Sequence, residues 1–459
     1  MPSTKPDKIC IIGAGAAGIA AANALSRVSV QFDWFEAGSQ LGGLWRYGND
    51  TGSSIYASLV TNTSQRNMQW FDYPMPAEKN RYLSHRQVLD YLTSFTAHAN
   101  LQTRVTLSTR VTGVEPLAHG RFRVSAQSRA NEQCEREYSA VVVASGRHST
   151  PKWPKIPGTL DTFLMHAADY RTPDVFTGKR AVVVGFGASG ADIAADAASV
   201  ATSVVLSTES GGYLLPRYAG GKPRDEKSRS WSFLIPLAIR KQLWRVLLKR
   251  RPISSKVRLA LEQNARLFAK PGVINDHLAE LIDGDKVIVK GRIKRLEGDS
   301  VRFTDDSSVP CDVLVCATGY ETTYPFFSSE LLEQNARFSH RYLRVLPPQQ
   351  PGLYFIGHLS VVGPFFPVLE RQALWVADLL SDRCTLPPVA RMQHLATRQA
   401  EADGRIYPDA RREDTVDYHP YVRLLEKEHK AGRIRRSRIP RCPAEVPDLN
   451  ARREPTGHF

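Results

Sequence analysis

KICIIGAGAAGIAAANAL, residues 8–25, predicts a buried strand, a glycine turn and a helix in immediate succession. The apolar run 8–12 is typical of a parallel strand covered on both faces, and the alanines after Gly18 favour a helix. In the G-x-G-x-x-G between them, Gly13 permits the tight turn, Gly15 lets the backbone approach a pyrophosphate, and Gly18 lets helix and strand pack closely. The motif predicts dinucleotide binding; an ordinary glycine turn in an α/β unit is the alternative.

Glu36 strengthens this prediction, because it ends the next apolar strand, VQFDWFE, 23 positions after Gly13 (36 minus 13). A carboxylate about 20 residues beyond the glycines binds the ribose in this fold, and an ordinary turn leaves Glu36 unexplained. The loop that follows, AGSQLGGLWRYGND, joins glycine turns to Trp45 and Tyr47. Such a loop is suited to lie along a planar ring; a surface loop with one buried tryptophan is the alternative.

A second stretch, KRAVVVGFGASGADIAADA at residues 179–197, repeats the pattern with Gly185, Gly187 and Gly190 in the three glycine positions. Its second strand, SVVLST, leads to Glu209, 24 positions after Gly185 (209 minus 185). Two such units in one chain predict that one cofactor is held beside a second with which it exchanges electrons.

The order of these motifs predicts an α/β fold with two Rossmann-like dinucleotide-binding domains, the second inserted into the first. A chain of 459 residues is too long for one compact core. YSAVVVASG (138–146) and CDVLVCATG (311–319) both end a buried strand in small residues, as expected where the chain crosses between domains, and LYFIG (353–357) is typical of a last central strand. The predicted divisions are 1–150 and 311–385 for the first dinucleotide-binding domain, 151–310 for the inserted one with a helical insertion at about 225–270, and 386–459 for a C-terminal extension with a basic tail.

The net charge of +15 and the pI near 9.6 first suggest a nucleic-acid or membrane partner. Thirteen of these charges come from residues 240–258 and 427–459, and the remainder is almost balanced, so we expect no nucleic-acid partner. The six cysteines form no C-x-x-C pair, and Cys10, Cys311 and Cys316 lie in or beside apolar runs, which predicts buried, inert thiols, a reducing compartment and no metal site. Without a signal peptide or a spanning apolar run, the prediction is a cytoplasmic protein that is soluble or peripheral to a membrane.

A membrane contact is predicted for residues 236–251. On a helix, this segment puts three basic residues on one side and four apolar residues on another: Lys241, Arg245 and Lys249, and Ile239, Leu243, Val246 and Leu247. That pattern suits an anionic membrane surface. The alternative is a helix whose apolar stripe packs on the first domain while its basic face is solvated.

From about residue 8 to residue 375, the chain resembles the flavin-containing monooxygenases. The matching pieces, in order, are GAGAAG with Glu36, LGGLW, the pair Thr61-Asn62, DYPMP, SHRQVLDYL, GFGASGADIA, CATGY before PF, and FPVLERQALW. The family's linker signature F-x-G-x-x-x-H-x-x-x-Y/F is degraded around His166, since Leu160 replaces the aromatic residue and Thr162 the glycine. Tyr170, where related Baeyer–Villiger enzymes carry tryptophan, favours a heteroatom oxygenase.

The resemblance implies FAD in the first fold and NADPH in the second. Hydride passes from nicotinamide to flavin, the reduced flavin adds dioxygen to give a C4a-hydroperoxide, and a soft nitrogen or sulfur centre of a small molecule attacks it. Baeyer–Villiger oxygenation of ketones and a non-oxygenating reductase or redox sensor are the alternatives. A disulfide reductase needs a cysteine pair beside the flavin, and the loop after Glu36 has no cysteine. A homodimer is compatible with the sequence.

Site residues follow from the motifs and the resemblance. Asn62 matches the family's active-site asparagine and is the predicted catalytic residue, with an Asx turn as the alternative. Arg217 is expected to reach phosphate or substrate, with a solvated arginine as the alternative, and His166 to be a linker histidine that holds the domains. The predicted FAD ligands are Gly13, Gly15, Ala16, Ala17, Gly18, Glu36, Ala37, Gly43, Leu44, Trp45, Thr61 and Asn62; the predicted NAD(P)H ligands are Gly185, Gly187, Ala188, Ser189, Gly190, Ser207, Thr208, Glu209, Arg217, Ala317, Thr318 and Gly319.

Glu209 departs from the family, which commonly has arginine there to pair with the 2′-phosphate of NADPH. A carboxylate at this point hydrogen-bonds a free 2′-hydroxyl and repels phosphate. Nearby Arg217, Lys222 or Arg224 could offset this repulsion. The prediction is an enzyme that accepts both NADPH and NADH, with NADH used unusually well.

Overall fold

Two five-stranded parallel sheets organise the computed structural model, which describes residues 8–48, 50–76, 81–227, 235–251, 253–335, 340–406 and 415–438. In spatial order, the first sheet holds Leu353–Phe355, Ala140–Val143, Ile9–Ile12, Phe32–Phe35 and Val105–Thr106. The second holds Phe163–His166, Val313–Cys316, Arg180–Val184, Ser203–Ser207 and Ile288–Lys290. In each sheet the central strand is the one that leads into a glycine motif. We call each sheet, with the elements packed on it, the first and the second unit.

Antiparallel strands cover one face of each large sheet. Beside the first lie Thr109–Pro116, Phe122–Ser128 and Gln133–Tyr138, and beside the second lie Ser308–Pro310, Ser300–Phe303 and Ile293–Gly298, with Gly158–Leu160 added in parallel. The smaller strand pairs are Leu214–Leu215 with Val273–Ile274, Tyr218–Ala219 with Lys222–Pro223, Thr150–Pro151 with Tyr320–Glu321, and Ser360–Val362 with Thr415–Asp417.

Most helices cover the other faces, although one, Ser329–Asn335, packs on the antiparallel side of the first unit through its buried Leu331. Those of the first unit are Ala16–Arg27, Gln65–Met68, His85–His98, Ser329–Asn335, Phe366–Leu380, Val389–Ile406 and Tyr418–Ser437; those of the second are Ala188–Ala197, Leu237–Lys249, Ser255–Glu262 and Leu278–Asp283. The 3₁₀ turns are Gly43–Trp45, Gln102–Arg104, Ala118–Gly120, Pro173–Phe176 and Asp225–Lys227. The helix predicted after Ser84 is confirmed, with a capping box in which Ser84 and Gln87 satisfy each other's backbone N–H groups.

The fold class is confirmed, because the first sheet takes strands from both ends of the chain and the second takes only strands between them. The two connections cross side by side, as Thr150–Pro151 pairs antiparallel with Tyr320–Glu321. The predicted return to the first domain at residue 311 is too early. Val313–Cys316 still lies in the second sheet, because its apolar side chains fill the second unit's core. The other predicted domain bounds stay a proposal.

The C-terminal region is more than an extension. Thr415–Asp417 pairs with Ser360–Val362, and Tyr421 and Leu425 of the last helix are buried in the core of the first unit. Sequence periodicity missed this packing because few positions of the helix face inward. Residues 439–459 of the predicted basic tail and residues 228–234 of the predicted insertion lie outside the described residues.

The helix Leu237–Lys249 contradicts the packed-stripe alternative. All four predicted apolar residues, Ile239, Leu243, Val246 and Leu247, are exposed. The helix instead contacts the rest of the protein through the buried Leu248, through Trp244 edge-on to Phe268, and through an ion pair of Arg240 with Asp417 at 3.7 Å.

Candidate active site

The first glycine turn lies at the carboxyl end of the central strand of the first sheet. Gly13 has a left-handed φ of +98°, and a Cβ there would lie 2.7 Å from the carbonyl oxygen of Ala144. A Cβ on Gly15, in contrast, would meet only the Cα of Gly43, at 3.6 Å. Gly15 also caps the helix Ala16–Arg27 without a side chain, so the first N–H groups of the helix stay available to an anion. This open approach fits a pyrophosphate.

Glu36 is buried beside this turn, with 8% of its surface exposed. Its Oε2 accepts a hydrogen bond from the N–H of Ala14 at 2.5 Å, and its Oε1 accepts one from the N–H of Gly38 at 2.7 Å. Burial raises the pKa of Glu36, and the two N–H donors oppose that rise. Each carboxylate oxygen keeps a second lone pair. The carboxylate is therefore fixed in orientation and still able to accept a ribose hydroxyl.

The loop after Glu36 folds back over the turn. The N–H of Gly42 donates to the carbonyl of Ala14 at 3.0 Å, and the 3₁₀ turn Gly43–Trp45 puts Trp45 edge-on to Phe366. Trp45 is half-buried, which favours the ring-lining prediction over a lone buried tryptophan. Ala17, Ala37 and Leu44, also predicted FAD ligands, are likewise partly accessible, whereas Ala16 and Gly18 are buried at the start of the helix.

Thr61 and Asn62 lie beyond this loop and differ in role. Thr61 is buried and is paired with Leu83 in both directions, since its N–H donates to the carbonyl of Leu83 and its Oγ1 accepts from the N–H of Leu83. Asn62 is exposed. The structure thus holds the backbone at Thr61 and leaves the amide of Asn62 accessible, as an active-site role requires.

The second glycine turn repeats the first. Gly185 has φ of +110°, and a Cβ there would lie 2.5 Å from the carbonyl oxygen of Ala317, the counterpart of Ala144. A Cβ on Gly187 would meet nothing within 4 Å. Gly187 caps the helix Ala188–Ala197, which contains Ser189 and Gly190 in its first turn. Thr318 and Gly319 lie next to the turn and are hydrogen-bonded to the backbone of Lys152, which directly follows the crossing strand Thr150–Pro151.

The end of the second strand in this unit differs from that of the first unit. Ser207 is buried and donates to the carbonyl of Gly291, and Thr208 Oγ1 accepts from the N–H of Gly211. The side chain of Glu209 is 59% exposed and forms an ion pair with Arg292 at 3.4 Å. Sequence reasoning missed Arg292, because it lies 83 residues further along the chain.

Arg217 does not fit its predicted role. It is buried, and its guanidinium binds Asp276 at 3.1 Å and the carbonyls of Val60 and Thr61 at 3.3 Å each. These contacts correspond neither to an arginine that binds phosphate nor to a solvated arginine. Arg217 instead bridges the two units next to Asn62. Asp276 of the second unit neutralises its charge, while its guanidinium donates to backbone carbonyls of the first unit.

His166 is the last residue of the edge strand Phe163–His166 of the second sheet, and its ring lies 5.5 Å from that of Trp153 and 5.3 Å from that of Tyr320. It is fully buried, and burial lowers its pKa. These contacts agree with the predicted linker histidine. Tyr170 is also buried, with its hydroxyl donating to Asp196 at 2.7 Å, so it is a core residue of the second unit.

The predicted burial of Cys10, Cys311 and Cys316 is confirmed, and burial raises the pKa of both Cys311 and Cys316 to about 12. Thiols that stay protonated at neutral pH are poor nucleophiles. Among the described residues, we find no helix with the length and apolar character needed to cross a bilayer.

A family model described as flavin-binding monooxygenase-like matches residues 6–431. The chain belongs to this family. Flavin-containing monooxygenase 3 of Oryctolagus cuniculus is 30% identical over 409 residues, which cover 84% of this chain and 76% of that relative. This flavin-binding monooxygenase-like protein is therefore an FAD-dependent oxidoreductase.

Two solved structures resemble this flavin-binding monooxygenase-like protein along most of its length. S-allyl-L-cysteine S-oxygenase from Allium sativum has a TM-score of 0.68 and 25% identity, covering 92% of this chain and 88% of its own. Cyclohexanone monooxygenase from Rhodococcus sp. Phi1 bound to NADP+ has a TM-score of 0.70 and 16% identity, covering 94% and 98%. The second likeness supports the fold alone.

Proposed function

We propose that the protein inserts one oxygen atom of dioxygen into a soft nitrogen or sulfur centre of a small molecule, using FAD in the first unit and NAD(P)H in the second. The observation that carries this proposal is the pair of open glycine approaches, at Gly15 and Gly187, on the two units that flank the exposed Asn62. The sulfur-oxygenating relative from Allium sativum supports a heteroatom substrate.

Each group of the site has a role in this proposal. Bound FAD supplies hydride acceptance from the nicotinamide and activation of dioxygen. The turn at Gly15 and the N-terminus of the helix Ala16–Arg27 bind the pyrophosphate, and Glu36 accepts the ribose hydroxyl. Trp45 covers the ring. Asn62 offers its amide as a hydrogen-bond donor to the oxygen to be transferred.

The substrate class is tested by measuring NADPH consumption, oxygenated product and hydrogen peroxide over a panel of amines, sulfides and ketones. We expect product from amines or sulfides in proportion to NADPH. Product from ketones alone would establish the Baeyer–Villiger alternative, and hydrogen peroxide alone with every substrate would establish a non-oxygenating reductase.

Asn62→Ala tests the proposed active-site residue. We expect more hydrogen peroxide and less product per NADPH oxidised, because the oxygen loses a hydrogen-bond donor. Asn264→Ala, at an exposed asparagine of the second unit, is the matched control. Equal product yields from the two variants would remove Asn62 from the active site.

The nicotinamide site is proposed to accept both NADPH and NADH. Glu209 disfavours the 2′-phosphate and binds a free 2′-hydroxyl, whereas the adjacent Arg292 attracts phosphate. An exposed ion pair is worth about 1 kcal/mol or less, so neither charge dominates. Comparable kcat/KM values for the two cofactors are expected in steady-state assays.

The exposed face of the helix Leu237–Lys249 is proposed to contact an anionic membrane surface. Its apolar stripe of Ile239, Leu243, Val246 and Leu247 is flanked by the exposed Arg245 and Lys249. Such a face binds through apolar burial and attraction to acidic lipids. In a flotation assay with phosphatidylserine vesicles, we expect salt-sensitive binding that Leu243→Asp abolishes. Concentration-dependent dimers without flotation would assign the face to a second copy of the chain.

A further inference from the structure

Residues 56–67, which we call the Asn62 segment, lie between the two units, since Tyr56 is buried in the core of the second unit, Thr61 is paired with Leu83 of the first, and several polar anchors come from the second. At its start, the hydroxyl of Tyr56 donates to Asp192 at 2.8 Å, and that of Ser58 to Asp196 at 2.5 Å. The two aspartates lie four residues apart, on one face of the helix that begins at the second glycine turn. The helix thus presents two acceptors to the Asn62 segment.

The centre of the segment is held by Arg217, whose guanidinium donates to the carbonyls of Val60 and Thr61. Arg217 is itself fixed by Asp276, which accepts from its Nη1 at 3.1 Å and from its backbone N–H at 2.8 Å. The two carbonyls directly precede Asn62 in the chain. The backbone that carries the proposed active-site amide is therefore bound by a buried cation of the second unit.

Asp225 holds the end of the segment and is its most connected anchor. Its Oδ2 accepts from the N–H of Ser64 at 2.9 Å, from the hydroxyl of Ser64 at 2.8 Å and from the amide of Asn67 at 2.8 Å. Its Oδ1 lies 3.0 Å from the hydroxyl of Tyr82, which also lies 2.6 Å from the carbonyl of Arg217. One carboxylate of the second unit thus gathers donors from the residues that follow Asn62 and from Tyr82, the chain neighbour of Leu83.

We propose that Asp225 is a positioning residue for oxygen transfer, which fixes Asn62 only while the two units are docked. This inference rests on the proposed role of Asn62. An ionised carboxylate accepts several strong hydrogen bonds at once, which a neutral side chain of the same shape cannot do. Without those bonds the Asn62 segment keeps its pairing to Leu83 and its contacts with Asp192, Asp196 and Arg217, but the residues that follow Asn62 lose their hydrogen bonds to the second unit.

Asp225→Asn tests the proposal, with Asp306→Asn as the matched control. Asp306 is an exposed aspartate of the second unit that pairs with Lys294, on the antiparallel sheet. We expect Asp225→Asn to release at least about fivefold more hydrogen peroxide per NADPH oxidised, with FAD content and the rate of flavin reduction unchanged. A structural role alone would lower FAD content and reduction rate together. Equal leakage from the two variants would overturn the proposal.

A double-mutant cycle that combines Asp225→Asn with Asn62→Ala tests whether Asp225 acts through Asn62. If Asp225 acts through Asn62, the double variant leaks no more than Asn62→Ala alone, whereas additive effects would overturn the proposal. If Asn62→Ala leaks while Asp225→Asn does not, the positioning role fails and the proposed function stands. Unchanged coupling in Asn62→Ala would remove Asn62 from the active site and this inference with it.

Donor-side variants keep the test decisive if Asp225→Asn does not fold. Ser64→Ala and Asn67→Ala each remove hydrogen bonds to Oδ2 and keep the carboxylate. Each should raise peroxide release by part of the effect of Asp225→Asn, and the pair together by more. Wild-type coupling in the combined variant would overturn the proposal.

Discussion

The two glycine turns are built alike, but the carboxylates that follow them are held differently. Glu36 is 8% exposed and binds a backbone N–H with each oxygen, whereas the side chain of Glu209 is 59% exposed and pairs only loosely with Arg292, at 3.4 Å. A carboxylate fixed by backbone donors has one orientation, which suits a cofactor that stays bound. An exposed carboxylate beside a cation discriminates weakly, which suits a cofactor that comes and goes.

The difference arises from the backbone around each residue. Glu36 is still paired at the sheet edge, since its N–H donates to Thr106 at 3.0 Å and its carbonyl accepts from Thr109 at 2.8 Å. In the second unit the corresponding pairing ends at Thr208, whose N–H donates to Lys290. Glu209 is one residue beyond this last pairing and two beyond the strand Ser203–Ser207, so its side chain extends into solvent.

We expect the largest difference in cofactor binding when one glycine is replaced in each of the two turns. Gly15→Val should abolish flavin binding, because the added side chain starts from a Cβ that meets only ordinary contact in the free protein and occupies the approach of the pyrophosphate. Gly187→Val should keep the yellow flavin and weaken NADP+ binding at least about tenfold, or about 1.4 kcal/mol. Flavin absorbance and NADP+ titration measure both. Flavin loss from Gly187→Val, or wild-type flavin content in Gly15→Val, would contradict the assignment of the units.

Removal of each carboxylate should change the free energy of unfolding by a different amount. Glu36→Ala leaves the N–H groups of Ala14 and Gly38 without their acceptor, and each unpaired buried donor destabilises the fold by about 1–3 kcal/mol. Glu209→Ala should change the free energy of unfolding by about 0.5 kcal/mol or less, as an exposed substitution does. Urea denaturation of the flavin-free proteins measures both values. Equal destabilisation would show that burial does not distinguish the two residues.

Charge reversal at the second carboxylate tests its selectivity. Glu209→Arg should raise the ratio of kcat/KM for NADPH to that for NADH by about tenfold, if about 1.4 kcal/mol is exchanged. Arg292→Ala should shift the same ratio toward NADH, because it removes the cation that attracts the 2′-phosphate. The combination of a wild-type enzyme that ignores NADH and variants with unchanged ratios would refute the proposed role of both residues.

The smallest expected effect is a pH dependence confined to the first unit. Because burial raises the pKa of Glu36, its carboxylate takes up a proton at a higher pH than an ordinary glutamate does. Only the ionised form keeps the second lone pair of both oxygens free for the ribose hydroxyl, so the affinity of the flavin-free protein for FAD should fall as pH is lowered through this raised pKa. Fluorescence titration measures it. Glu36→Gln should bind FAD more weakly and without that pH dependence; an identical profile in both proteins would assign it to another group.

The fold and the family could both be predicted from the sequence. Strand, glycine turn and helix are local patterns set by alternation, small residues and spacing, so both units, the buried cysteines and the capped helix at Ser84 were predictable. The ordered motifs identified the flavin-binding monooxygenase-like family. The residue at which the chain returns to the first domain was harder to predict, because an apolar strand near residue 311 fits either sheet equally well.

The charged residues that act between the units could be identified only from the folded chain. Arg217 meets Val60 across 157 positions and Asp225 meets Ser64 across 161, and no local period encodes such partners. The pairing of Glu209 with Arg292 and the outward face of the helix Leu237–Lys249 also depend on how distant strands and helices pack. A charged side chain has the same local signature whether it is solvated or buried against a distant carbonyl, since only the folded chain determines its surroundings.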